Sequence, residues 1–355
     1  VGGAYIVGVY PVRETVEDLN TMMKSTAVLE VIAFAVMFAA LINLLKRLIV
    51  DNMIKVNGSL TQITEGNLNE RVEVRDTYEF NELSDDINAT VDRLKEYIAE
   101  ASARIDTDLE IAKTIQTSVL PNIFPPFPEY KEFELFASMH AAREVGGDFY
   151  DYYMTDNDTL GFLIADVSGK SIPGAMFMMR GKAVIRDLVE RGLPPAEVFG
   201  CANEKLHAGN DSCLFITAWM GYLDIHTGEV HAVNAGHNPP VLIRDGKAEF
   251  VNLPAGIVLA VMDGMTYMEH TVQLQKGDIL FLYTDGVTEA INAREEQYGE
   301  DRLLELLSFG DDYPTPKENS CVATAVCETV KEDLDRFVGD VEQFDDITML
   351  AIKFV

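Results

Sequence analysis

The sequence predicts an α+β protein behind an almost wholly helical amino-terminal third. Three observations carry this. A stretch of about 20 apolar residues lies near the start, and helical apolar spacing follows it. Prolines at 121, 125, 126 and 128 then end the helices, and beyond them short apolar runs of strand type alternate with helical patterns. A chain of 355 residues is long enough for two or three domains and at least one sizeable core.

Lys and Arg number 28 against 58 Asp and Glu, a formal net charge of -30, which argues against a nucleic-acid-binding role. Most of these acids read as solvated surface, with metal ligands as the exceptions. Cys201, Cys213, Cys321 and Cys327 have no Cys-x-x-Cys spacing and no histidines at zinc-like intervals. They read as small buried hydrophobes in a reducing compartment.

The chain begins at Val1, and "GAYIVGVY" (3–10) reads as a strand in progress, as in a fragment with its upstream part missing or a processed N-terminus. "TAVLEVIAFAVMFAALINLL" (26–45) is apolar apart from Thr26, Glu30 and Asn43, and Lys46-Arg47 follows at once. This matches a membrane span with basic residues on its cytoplasmic side. A buried core helix is the alternative, because the uninterrupted stretch 31–42 is only about twelve residues long. The span predicts residues 1–25 as the end of an extracytoplasmic segment, 26–47 as a transmembrane helix in the cell membrane, and the rest as cytoplasmic.

Met53, Val56, Leu60 and Ile63 are spaced as a packed helical stripe. "EGNLNERVEVRD" interrupts it with Gly66 and the alternating Val72 and Val74, and "YEFNELSDDIN" opens a second helix with Glu79 in its first turn. Helix, extended connector and helix behind a membrane span resemble a HAMP signal-relay domain, here over 48–100, although the family's early proline is missing. A generic coiled coil is the alternative. Ile87, Val91, Leu94, Ile98, Ala101 and Ile105 form a heptad seam, and Leu109 adds a stutter. A coiled-coil linker over 85–120 and a parallel homodimer follow.

The carboxylates after residue 121 are the chemically telling feature. "TLGFLIADVSG" reads as a buried strand ending in Asp166, and "GDILFLYTDG" as one ending in Asp285. In "FDDITMLAIKF" Asp345 and Asp346 come first, and "EVGGDFYD" adds Asp148 beside two glycines. A single such Asp is usually a turn former or cap. Several like charges buried at strand ends are costly unless cations neutralise them. Oxygen donors without a His or Cys constellation suit Mg²⁺ or Mn²⁺, and two such ions sharing a bridging hydroxide can serve in-line attack on phosphorus.

"AREVGGDFYDYY", "LIADVSGKSIPGAMFM", "NAGHNPP", "LYTDGVTEA" and "FDDITML", in this order, resemble the SpoIIE/RsbU-type branch of the PPM (type-2C) metal-dependent serine/threonine phosphatases. The resemblance covers about residues 118–355 and implies an α-β-β-α sandwich over 121–355 with two divalent ions, Mn²⁺ or Mg²⁺, between its central sheets. The implied substrate is a phosphorylated partner protein of the anti-sigma-factor-antagonist kind. By position, Asp166 matches the ligand that bridges both metals, and the Val167 carbonyl stands where the family has a glycine carbonyl. Asp148 matches the acid at the second metal. Asp285 and Asp345 match ligands of the first, with Asp346 in reserve for Asp345. Arg143 matches a phosphate-binding arginine, with a surface role as the alternative. Eukaryotic relatives have a histidine after the second motif; "DVSGKS" has Lys170 nearby, so the leaving-group proton donor is unassigned.

His237 in "NAGHNPP" reads as a turn residue before an acid or base. Pro173 suits the first turn of a helix with Met176, Met179 and Ala183 on one face, read as core or, in this branch, as part of a mobile activation helix. Two other functions compete. One is a catalytically inactive scaffold, although every acidic ligand position is filled. The other is a diguanylate cyclase, suggested by Gly-Gly-Asp-Phe, which lacks that family's Glu before the Phe and leaves "TDG" and "DDIT" unexplained.

Overall fold

The structure is a computed structural model that describes residues 3, 4, 6, 8, 12–310, 313–317 and 320–355. The strand expected at 3–10 lies for the most part outside the described residues. The chain divides into two compact units, Val1–Ile105 and Asp106–Val355.

In the first unit, α1 (Val12–Leu45), a π-helical segment (Lys46–Val50) and α2 (Asp51–Thr64) run on without a break. Among the described residues this is the helix long and apolar enough to cross a membrane, with a mean hydropathy of 2.5 over its most apolar window. Its apolar side chains are uncovered, Val31 and Phe34 at 69% exposure each, so the core-helix alternative is not what forms. After α2, Gly66 turns the chain at φ +102°. Val72 and Val74 then bury against Val56, with Leu60, Ile63, Phe80 and Ile87 packed around them. Met53, expected in this stripe, is exposed.

The extended segment is held by side chains of α3 (Tyr78–Val119) in place of a neighbouring strand. Asn88 exchanges two hydrogen bonds of 3.0 Å with the Val72 backbone, and Ser84 Oγ donates to the Val74 carbonyl at 2.9 Å. Glu79 opens α3, its carboxyl lowered by hydrogen bonds from its own backbone and Thr77. Val91 is buried, but Leu94, Ile98 and Ile105 of the heptad seam are exposed.

The second unit holds two five-stranded antiparallel sheets. One has the order β1 (Phe133–His140), β10 (Ile347–Phe354), β9 (Ile279–Tyr283), β6 (Val241–Arg244), β7 (Lys247–Phe250). The other has the order β2 (Phe149–Met154), β3 (Thr159–Val167), β4 (Ile216–Asp224), β5 (Glu229–Ala235), β8 (His270–Gln273). Leu280 and Leu282 of β9, with Leu350 and Ile352 of β10, join the other sheet's Phe162, Ile164 and Trp219 in one core. Ile279, Phe281 and Tyr283 alternate to the opposite face and pack with α7 (Glu300–Leu307) and α8 (Val322–Val338). The second sheet is covered by α4 (Ser171–Glu190) and α5 (Pro195–His207), which completes the expected α-β-β-α layering. Each fully buried Leu or Phe contributes about 1.5–3 kcal/mol.

Two expectations are corrected here. The Met176, Met179, Ala183 face of α4 is not core: Met176 is 68% exposed. The buried stripe is Ala175, Met178, Lys182, Ile185 and Val189, one position away. A lysine in that stripe disguised it, and the buried Asp151 compensates its charge at 2.6 Å. Of the cysteines, all free, only Cys327 is buried, while Cys201 and Cys213 are exposed. They sit on the outward turns of α5 and of the loop before β4.

Candidate metal centre

Antiparallel pairing brings the carboxylates together. β2 pairs with β3 from Phe149↔Ala165 to Met154↔Leu160, so Asp148 before β2 and Asp166 near the end of β3 share one end of their sheet. β10 pairs with β9 from Met349↔Tyr283 to Lys353↔Ile279, which does the same for Asp345 and Asp346 before β10 and for Asp285 after β9. Asp285 opens the short helix α6 (Asp285–Thr288). The two sheet ends meet where Thr284 Oγ1 donates to Asp148 Oδ2 at 2.7 Å, while the Thr348 N–H donates to Thr284 Oγ1 at 3.0 Å.

The electrostatics record the crowding. Burial raises the Asp148 carboxyl well above its ordinary range, the Asp166 and Asp346 charges add to this, and the Thr284 hydrogen bond opposes it. Asp166 is pushed up to about 7, by burial first and then by Asp285. Asp285 is raised by burial and by Asp345. Groups from both sheets therefore feel each other's charge across one small space. A cavity of about 140 Å³ opens beside it, lined among others by Arg143, Asp166, Val167, Lys170, Asp345 and Asp346. A larger cavity of about 710 Å³ between the end of α3, β2 and α4 has no such convergence of acids.

Among the described residues, no three His, Cys, Asp or Glu side chains close on one point tightly enough to cage an ion by themselves. The donor set still fits hard divalent cations, because Mg²⁺ sites commonly use one or two carboxylates and complete the shell with water and other oxygens. The Val167 carbonyl belongs to a residue that lines the cavity of about 140 Å³. A Cβ on Gly147 would stand 2.8 Å from that carbonyl, so only glycine lets the Asp148 loop come this near.

Asp346 and Asp345 differ sharply. Asp346 is buried, and its Oδ1 accepts from the Ala142 N–H at 2.8 Å while its Oδ2 accepts from the Gly147 N–H at 2.6 Å. A Cβ on Gly146 would collide with this carboxylate. Asp345 instead pairs with Lys170 at 3.0 Å; Lys170 also donates to the Phe344 carbonyl and covers that ring. Arg143 is exposed at the cavity's edge, with no ion pair among the described residues. His237 is buried, with Nδ1 2.8 Å from Thr217 Oγ1, and its backbone is held from both sides by Asn234. Burial lowers its pKa to about 4. Nothing in the sequence separated Asp345 from Asp346 or gave Thr284 a role; its only signal was its place before Asp285 at a strand end.

Residues 156–355 match the family model described as stage II sporulation protein E (SpoIIE). The chain is 28% identical over 272 residues to protein IcfG of Synechocystis, which covers 69% of this chain and 41% of IcfG. It thus spans about two fifths of that relative's length. It is 27% identical to the phosphoserine phosphatase RsbU of Bacillus subtilis over 70% of each chain. In three dimensions it resembles the SiaA-PP2C domain of Pseudomonas aeruginosa, with a TM-score of 0.62 and 23% identity, over 72% of this chain and all of that one.

Proposed function

The chain belongs to the SpoIIE family of PP2C-type serine/threonine phosphatases, and from that premise we propose that it hydrolyses phosphoserine or phosphothreonine on a partner protein while anchored in a membrane. The observation that carries the proposal is the convergence of Asp148, Asp166 and Asp285 from the facing ends of two sheets, each with its carboxyl raised by burial and by neighbouring charge. Asp166 and the Val167 carbonyl, Asp148, Asp285 and Asp345 would hold two divalent ions, Mn²⁺ or Mg²⁺. Asp346, whose oxygens are engaged by backbone N–H groups, shapes the loop that carries Asp148. Bound ions would supply an activated water and a clamp on phosphoryl oxygens. Arg143, exposed beside the cavity, would hold two oxygens of the incoming phosphate through its planar fork.

Likeness to the phosphoserine phosphatase RsbU supports a phosphoprotein substrate, and the proposed one, taken from the resemblance of the motifs, is a small phosphorylated protein of the anti-sigma-factor-antagonist kind. The uncovered apolar face of α1 fits a lipid bilayer, with the phosphatase unit cytoplasmic. The Val56, Val72, Val74 core between α2, connector and α3 fits a HAMP relay, and the exposed seam of α3 fits a parallel coiled-coil homodimer.

The test is phosphate release from p-nitrophenyl phosphate and from a phosphorylated antagonist protein, with Mn²⁺ or with chelator. Activity is expected with Mn²⁺ only. Asp166→Asn and Asp285→Asn should each reduce it by at least about a hundredfold, the upper end of what losing a supporting group costs a metal site. Wild-type rates in either variant, or activity in chelator, would overturn the reading.

A further inference from the structure

We infer that Gln116, on the last turns of α3, is a positioning residue for Asp148, an assignment that rests on the metal-dependent phosphatase reading above. This stretch of helix exposes its isoleucines, Ile111 and Ile115, and buries its glutamine, which is 4% exposed. Burying an amide is costly unless its hydrogen bonds are made, and both are made to one residue. Gln116 Nε2 donates to the Gly146 carbonyl at 2.6 Å, and Gln116 Oε1 accepts from the Gly146 N–H at 3.0 Å.

Gly146 stands two residues before Asp148 in a segment outside both sheets. Its location is therefore set by side chains. Gln116 grips it from α3, while Asp346 from the start of β10 accepts the Gly147 N–H at 2.6 Å and the Asp148 N–H at 3.4 Å. With Gln116 removed, one side of the grip is lost and the buried Gly146 N–H and carbonyl have no other hydrogen-bond partner among the described residues. The loop then relaxes, and Asp148 moves relative to the Thr284 hydroxyl and to Asp166. Partners that orient a metal ligand typically account for 10–100-fold in metal affinity or activity.

The test uses the full chain in detergent. Mn²⁺ binding is followed by the electron paramagnetic resonance of free Mn²⁺, and turnover of a phosphoserine peptide is resolved into kcat and KM. Gln116→Leu is expected to weaken Mn²⁺ binding about tenfold and to lower kcat, with KM within about twofold. Gln116→Glu keeps the acceptor for the Gly146 N–H and loses the donor, and should fall between. Wild-type Mn²⁺ affinity in either folded variant overturns the assignment. So does failure of both to fold, since Gln116 would then serve the fold alone. Wild-type protein that binds no Mn²⁺, or turns over nothing with it, overturns the phosphatase reading itself; unchanged variants beside an active wild type overturn only the role of Gln116.

Discussion

The two units treat apolar surface in opposite ways. In the second, Phe281, Leu282 and Trp219 are fully enclosed by sheets and helices of the same chain. In the first, Phe34 of α1 and Ile98 and Ile105 of α3 stay open, at 69%, 48% and 58% exposure. The second unit thus carries its own stabilising core, whereas much of the first unit's apolar surface is left uncovered by the single chain. The apolar stretch 26–45 of α1 would suit lipid, and the narrow seam of α3 another helix, as proposed above.

The largest effect that sharpens this contrast is expected from Phe281→Ala, which should cost the second unit about 3–5 kcal/mol. The sole tryptophan, Trp219, lies in that unit's core and reports its urea unfolding directly. Phe34→Ala in detergent should leave the same transition within about 0.5 kcal/mol; an equal loss would mean that α1 is part of that core.

Next in size is a pH effect. Folded His237 has its pKa lowered to about 4, against 6.5 ordinarily. The unfolded chain therefore takes up a proton that the folded one refuses. Its contribution is complete above pH 6.5 and is lost as pH falls toward 4. Between pH 6.5 and 5 the loss is about 2 kcal/mol. Trp219-monitored unfolding of His237→Gln should lack that part of the slope, and identical slopes would disprove the buried neutral ring.

A comparable effect, on association and not on folding, tests the open seam. Ile98→Ala should weaken self-association by about 2 kcal/mol, roughly thirtyfold in the dimer constant. Sedimentation at several concentrations measures this, and the Trp219 transition should not move. A chain that is monomeric throughout would leave the seam without its proposed partner helix.

Much of the second unit was legible because β3, β9 and β10 are short apolar runs with an acid at one end, a pattern that survives without knowledge of neighbours. The helix α4 was harder. Lys182 occupies a core position, and a charge in a buried stripe shifts the apparent apolar face by one residue until its partner Asp151, 31 positions earlier, is known. The extended stretch at Val72 and Val74 was readable from alternation, yet its hydrogen-bond partners Ser84 and Asn88 were not, because side chains substituting for a strand leave no periodic trace.

The sequence by itself determined which residue types are grouped: acids at the ends of apolar strands, glycines beside them, and no His or Cys constellation to accompany them. Only the tertiary structure decided their duties. Asp345 and Asp346 are chemically the same and adjacent, and both line the cavity; they part because one pairs with Lys170 while the other accepts from the N–H groups of the loop before Asp148. Gln116 and Thr284 likewise gain their roles from contacts spanning 30 and 136 residues. A carboxylate's role depends on which donors surround it, and those donors are brought in by pairing and packing far along the chain.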